Sequence, residues 1–298
     1  MHKVSFHTQV LSPLMSYGSE LKPELRATEI KALMRQTFRI SHVLLDSKSL
    51  FIEESKWFGD VKTASSPISL QIKDKKEVCI RQNLLLHDRK SEEASNREMR
   101  CFSEATEFTL LLRGKNLLTA DKFKEYQDLL RFSIYLGGIG RRSRRSRGAI
   151  NFKDHMCANK EDLITFLMAM LDKFSPSCFI RKANMIISSS NPTNRPTIEK
   201  IEIGETLNEE SIQQFLKAVD QASHDSRRKE NGQLFATGAI KDRKITGSEK
   251  FASSLMVSLV KTKDQCIYPI YVFVKPVTGM KIYDNREEFL TYVEGGKS

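Results

Sequence analysis

Thr119-Ala120-Asp121-Lys122-Phe123-Lys124-Glu125-Tyr126-Gln127-Asp128-Leu129-Leu130-Arg131-Phe132-Ser133-Ile134-Tyr135-Leu136-Gly137-Gly138 is the stretch on which the fold turns. Its second half is ambiguous, because Leu130, Phe132, Ile134 and Leu136 alternate as in a strand. Read from Thr119, however, Phe123, Tyr126, Leu129, Leu130 and Ile134 fall at helical spacing, and the segment is too long for an ordinary strand. A helix is therefore expected, stopped at Gly137 and Gly138 by residues free to take positive φ. Upstream, Phe108 to Leu112 is a short apolar run of strand length, and Pro67 to Ile72 alternates through Ile68, Leu70 and Ile72. Downstream, Ala149 to Phe152 reads as a short strand.

Nearer the N-terminus, Lys3 to Val10 alternates at period two and is broken by Pro13 and Gly18. Thr28 to Arg39 places Ile30, Leu33, Met34 and Phe38 on one helical face, with Thr28 as the expected N-cap. The charged stretch Leu86 to Arg100 reads as a loop. The order through residues 1–154 is then β, α, β, β, α, β, the ferredoxin-like, RRM-like plan of two helices on one face of an antiparallel sheet. Residues 155–298 carry a periodic helix, Asn159 to Phe174, and a second, Asn208 to Ala222. Strands are expected at Ile198 to Ile203, Ser253 to Leu259 and Ile267 to Val274, with exposed polar loops at Ser188 to Pro196 and His224 to Gly232. The fold class is α+β, with a second ferredoxin-like domain as the economical reading of the C-terminal half.

The 298 residues carry 48 Lys and Arg against 37 Asp and Glu, a net charge of +11 that points to a polyanionic partner, nucleic acid before membrane. Arg141, Arg142, Arg144, Arg145 and Arg147 account for nearly half of that excess. They follow Gly137, Gly138 and Gly140, and glycines that admit close backbone approach next to guanidinium forks suit a sugar–phosphate chain. A solvated basic loop or an import signal is the alternative; the adjoining glycines favour phosphate. Lys31, Arg35 and Arg39 recur every four residues and form a second basic strip. Trp57 and Phe58 are the candidate base-stackers, although large aromatics more often sit in a core.

Other chemistry finds little footing. The six histidines (His2, His7, His42, His87, His155, His224) are scattered, with no H-E-x-x-H pattern, no cysteine cluster and no P-loop, so no catalytic, metal or cofactor site is expected. Metal-independent RNA cleavage needs only one general base and leaves no such pattern. The five cysteines form no C-x-x-C pair and the opening residues lack a secretory apolar region, which together read as a cytoplasmic protein with free thiols. Leu163 to Leu171, the longest apolar run and interrupted by Thr165, is about half of what a membrane span needs.

Four blocks together resemble the RAMP superfamily of CRISPR effector proteins, and within it the first-subunit family of the type III-B Cmr module. The opening strand and Leu11-Ser12-Pro13-Leu14 are similar to the family's first strand and its T-P-L continuation. Glu24 to Arg39 is similar to the E-x-R-x-x-x-I-K-G-x-x-R-x-W-W-R helix, with Ala32 in place of Gly and Thr37 and Phe38 in place of the tryptophans. Trp57-Phe58-Gly59 resembles the L-F-G block. The Gly-Arg stretch resembles G-G-L-G-x-R-x-R-R-G-x-G, with Arg142, Arg144 and Arg145 in register, Ser146 in place of Gly and Arg147 where an aromatic is frequent. In the C-terminal half, Lys250-Phe251-Ala252-Ser253-Ser254-Leu255 is more distantly similar to an R-x-A-S-P-L block.

The resemblance implies two ferredoxin-like domains in a non-catalytic, antiviral effector subunit. It implies a place at the end of the ribonucleoprotein backbone farthest from the guide's 5′ handle, with the 3′ region of guide RNA, complementary target RNA and other RAMP subunits as partners. On that reading Arg141, Arg142, Arg144, Arg145 and Arg147 grip phosphates, Gly137, Gly138 and Gly140 give close approach, and Lys31, Arg35 and Arg39 add charge. The alternatives are a guide-processing endoribonuclease of the same superfamily and an unrelated basic adaptor for protein or acidic lipid.

Overall fold

The fold is that of a computed structural model, which describes residues 2–62, 65–86, 98–115, 118–190, 194–226, 234–238, 251–277 and 282–295. The first half runs β1 (Lys3–Val10), α1 (Ala27–Ser41), α2 (Ser47–Phe58), β2 (Ile68–Lys76), β3 (Cys79–Asn83), β4 (Glu98–Phe102), β5 (Glu107–Gly114), α3 (Ala120–Leu136) and β6 (Ile150–Phe152). In β1 the predicted alternation is realised: Phe6, Thr8 and Val10 are buried while Lys3, Ser5 and His7 face out. β1 pairs antiparallel with β5 and β6, giving a sheet of order β2-β5-β1-β6. That is the βαββαβ connectivity, into which α2 and the β3–β4 hairpin are inserted.

α3 settles the ambiguous stretch as a helix, capped by the Thr119 hydroxyl, which accepts from the Lys122 N–H at 3.2 Å. Its stop differs from expectation. Gly137 has φ −157°, an extended backbone, and is needed for space: a Cβ there would lie 2.9 Å from Leu33 Cδ1. Nor does Thr28 cap α1, which begins at Ala27 after an extended Arg26. Within the first half the sequence reading lacks α2, capped by Asp46, and the β3–β4 hairpin; in the second it lacks the strands at Phe179–Lys182, Met185–Ser188, Leu234–Phe235 and Ile282–Tyr283 and the helix Arg286–Val293. Residues 98–100 of the expected loop begin β4, and 87–97 lie outside the described residues.

The second half runs α4 (Lys160–Phe174), β7 (Phe179–Lys182), β8 (Met185–Ser188), β9 (Ile198–Ile203), α5 (Ile212–Asp225), β10 (Leu234–Phe235), β11 (Leu255–Lys261), β12 (Ile267–Val274), β13 (Ile282–Tyr283) and α6 (Arg286–Val293). Its main sheet has the order β11-β12-β9-β8-β7. β9, α5, β11, β12 and α6 follow the same βαββα path as the first half, but the place beside β9 is taken by β8, which precedes it in the chain. The second half is α+β with an antiparallel main sheet, in which β8 occupies the place beside β9.

The two sheets share one hydrophobic core. α1, α3 and α4 fill the space between them, and α5 and α6 cover the far face of the second sheet with Phe215, Leu216, Val219 and Phe289. β12 is consequently buried on both faces, which is why Ile267 to Val274 is apolar without alternation. Among the described residues no helix is long and apolar enough to cross a membrane.

Candidate nucleic-acid interface

The Gly-Arg stretch leaves α3 and runs across the junction of the two halves. It does not project into solvent. The N–H of Arg141 donates to Met15 O at 2.9 Å, that of Gly148 to Pro13 O at 3.0 Å, and that of Ser146 to Val257 O on β11 at 2.8 Å. The Ser12 hydroxyl donates to Ser146 O and accepts from the Ala149 N–H. The Leu11–Leu14 and Gly-Arg blocks, far apart in sequence, are therefore one structural unit. The glycines serve this internal contact: a Cβ on Gly138 would sit 2.4 Å from Arg147 O, and Gly140 takes φ +79° against Met15. The close approach expected toward a ligand is an approach to the protein's own backbone.

The arginines divide by the same geometry. Arg147 is 0% exposed and donates from Nη2 to Asp220 Oδ2 at 2.9 Å; Arg142 donates to Oδ1 of the same carboxylate at 2.5 Å. Burial lowers the Arg147 pKa, with the Asp220 charge opposing it. Arg145, also buried, donates to Ser223 Oγ, Ser253 Oγ, Leu255 O and Thr237 O, and its guanidinium lies 5.0 Å from the Phe289 ring. Arg142, Arg145 and Arg147 thus tie the loop to α5 and β11, and the phosphate grip expected of them is corrected to an internal clamp. Arg141 and Arg144 differ: Arg141 is exposed beside Tyr17, and Arg144 is partly exposed, donating to Ser253 O.

The strip on α1 also splits. Arg35 and Arg39 both hold Glu54 of α2, which is buried. Burial alone would raise the Glu54 pKa; the hydrogen bonds from Arg39 and Arg35 outweigh it and keep the carboxyl below its usual range. Lys31 is half-buried, its pKa lowered by desolvation and then by Arg35 and Lys115. Trp57 and Phe58 are core residues, with Trp57 ringed by Phe38, Tyr126 and Phe174, so the stacking role is corrected.

A groove along α1 takes their place. One cavity, about 420 Å³, lies between α1 (Glu29, Ala32, Gln36), with Arg26 just before it, and the loop (Gly138, Gly140, Arg141, Ser143). A second, about 740 Å³, continues along the helix and reaches Arg39, Arg144, Arg195 and Lys275. Ala32 and Gln36 line both, being one turn apart on the same face. Across the two cavities the described lining carries six cationic side chains and one carboxylate, Glu29, which Arg26 engages. Arg39, one of the six, also holds Glu54 behind it, and the groove's lining is cationic on balance.

Arg195 was hidden in the stretch expected to be an exposed polar loop, in which 191–193 lie outside the described residues. It is 7% exposed, and donates from Nε to Leu45 O and from Nη1 to Arg39 O in the last turns of α1, both at 2.7 Å. None of the described histidines lines the groove. His42 is buried against Phe38 and Phe174, His2 stacks on Phe123, and His155 packs tilted against Phe6. His7 lies beside Thr109 on the outer face of the first sheet, and His87 is outside the described residues. No described His, Cys, Asp or Glu side chains group so as to hold a metal ion.

No protein-family model and no curated protein sequence matches the chain. Solved structures do. Cmr1 from Pyrococcus furiosus superposes with a TM-score of 0.59 at 16% identity, over 99% of this chain and 97% of that one. The chain has the Cmr1 fold. A chain of the type III-B Cmr-beta complex bound to cognate target RNA gives 0.60 at 13% identity, over 98% of both. In this Cmr1-like architecture the Glu24–Arg39 block forms one wall of the groove and the Gly-Arg block the other. The position where the resemblance expects Gly, Ala32, lies on the floor common to both cavities. Phe251 to Ser254, from the faintest of the blocks, lines the larger one.

Proposed function

We propose that this chain is a non-catalytic RNA-binding subunit of a type III-B, Cmr-like RNA-guided effector complex. It acts in the cytoplasm beside other RAMP subunits and holds the 3′ region of guide RNA and the target RNA through backbone phosphates. Both halves are ferredoxin-like, divided near residues 154 and 155, with the second permuted. The observation that carries the reading is the groove: six cations and a single, already paired carboxylate at the seam of the two halves of a Cmr1 fold. A polyanion without sequence readout is what such a surface binds.

The test is a titration of labelled single-stranded RNA with the full-length chain at several salt concentrations. The expected result is intact RNA and a binding constant whose logarithm falls linearly with log salt, by about 0.7 per phosphate held. Metal-independent cleavage, or no RNA binding either alone or with co-purifying subunits, overturns the reading.

A further inference from the structure

α1 and α3 cover one face of the first sheet. On the other face the register sets out three cross-strand rows: Lys3, Arg113 and Ser69, then Ser5, Leu111 and Gln71, then His7, Thr109 and Lys73. The side chains of these rows on the flanking strands β1 and β2 are exposed, Arg113 is half-buried, and Leu111, the one large apolar residue among them, is buried. The rows carry Lys3, Arg113 and Lys73 and no carboxylate. Lys3 stands directly opposite Arg113, a pairing of like charges that costs a sheet stability, and among the described residues neither they nor Lys73 makes an ion pair. The next row of the same sheet is different: there Lys153 and Lys76 converge on Glu107, at 2.6 and 3.6 Å. Protein interfaces have apolar and aromatic centres from which lysine is depleted, and none of the exposed large hydrophobic side chains lies on this face. What it offers is positive charge and hydrogen-bond donors at the ~7 Å repeat of one side of a strand, and such side chains are ordinary partners of phosphate oxygens.

We propose that the outer face of the first sheet is a second RNA-contact surface, which holds the phosphodiester backbone of a stretch of RNA other than the one in the groove, through Lys3, Arg113 and Lys73. With no Phe, Tyr or Trp in its three rows, the face neither stacks bases nor selects among them. The proposal takes from the reading above only the identity of the polyanion as RNA. Its residues are separate from the groove, because α1, which lines the groove, packs on the opposite face of the sheet.

The experiment titrates oligouridylate with the full-length chain and with three variants, Lys3→Ala, Lys73→Ala and, as a control on net charge, Lys48→Ala at an exposed lysine of α2. The readout is the slope of log K against log salt. Lys3→Ala and Lys73→Ala should each reduce that slope by about 0.7, in addition to the reduction by Arg141→Ala, with Tm unchanged or raised. Lys48→Ala should leave the slope as it is. In parallel, p-benzoylphenylalanine in place of Gln71 should crosslink to the RNA, and should still do so when Arg141→Ala and Arg144→Ala are combined with it. A slope unmoved by either sheet lysine, or moved as far by Lys48→Ala, overturns the proposal while the groove reading stands on Arg141 and Arg144. Crosslinking to a co-purifying protein subunit and not to RNA also overturns it, and makes the face a protein interface. If the wild-type chain binds no oligouridylate either alone or with co-purifying subunits, the RNA reading falls together with the proposal.

Discussion

Arg147 and Asp220, both without solvent exposure, meet at 2.9 Å between the Gly-Arg loop and α5 and tie the two halves of the chain together. Asp220 also takes Arg142 at 2.5 Å and the Leu86 N–H at 2.9 Å, so one carboxylate gathers three donors, two from the Gly-Arg loop and one from residue 86. Breaking one side of a buried pair leaves an uncompensated charge, which costs more than the pair contributes. Arg147 is poorly placed to find another acceptor, since its Nε and Nη1 already have none in the described structure. Asp220→Ala should therefore cost about 3–5 kcal/mol in urea unfolding. The double replacement Arg147→Met with Asp220→Leu should cost less than Asp220→Ala alone. Equal losses would show that the charge pair is not what the junction depends on.

Arg141 and Arg144 are the members of the run that reach the groove, whereas Arg35 is engaged by Glu54 on the far side of α1. Replacing Arg141 or Arg144 by Ala should reduce the slope of log K against log salt for single-stranded RNA by about 0.7 each. Arg35→Ala should leave that slope unchanged. A slope insensitive to both groove arginines would place the RNA elsewhere.

The regular elements were legible because their patterns are local. β1, β9 and β12 have the predicted bounds, and α4 follows Asn159, whose side chain caps it by accepting from the Asp162 N–H. The site was legible only in outline. The Gly-Arg run lines one wall of the candidate groove, but which of its arginines face that groove could not be read, because the deciding partner, Asp220, lies 73 residues beyond Arg147. One signal was available: Asp220 falls four residues after Leu216, on the apolar face of α5, where an acid without a partner is costly. Arg195 carried no such mark, since a lone arginine among Asn, Thr and Pro reads as loop until Arg39 of α1 and Leu45 of the following turn present their carbonyls. The separate two-stranded hairpin β3–β4 was missed because Cys79, Ile80 and Arg81 are all exposed, which erases the alternation that marks a half-buried strand.

Trp57 tests the same distinction between core and surface. Its ring packs edge-on to Tyr126 at 4.8 Å, Lys122 Nζ sits 3.7 Å from its centroid, and the Tyr126 hydroxyl donates to the Trp57 carbonyl. Truncating a buried aromatic removes its transfer energy and leaves a cavity, so Trp57→Ala should destabilise the chain by about 3–5 kcal/mol. RNA affinity of the folded fraction, measured well below Tm, should be unchanged. A selective loss of RNA binding with stability intact would restore Trp57 to the interface.

His42 gives the fold a pH dependence above the carboxylate range. The ring is buried between Phe38 and Phe174, and Nδ1 lies 2.7 Å from Phe38 O. Burial lowers its pKa; the Phe38 carbonyl opposes that shift and the nearby Arg195 adds to it. In the unfolded chain the imidazole takes up a proton near its ordinary value of about 6.5, while in the folded chain it stays neutral to lower pH. Above that value both states are neutral and His42 contributes no slope. As pH falls through it, the unfolded state binds more protons and stability drops, levelling only below the folded pKa. Urea midpoints should therefore decline as pH is lowered from about 6.5, before carboxylates titrate. His42→Asn keeps an N–H near the Phe38 carbonyl and removes the titration, so it should be less stable near neutral pH and lack that decline. An unaltered decline in the variant would assign the slope to another group.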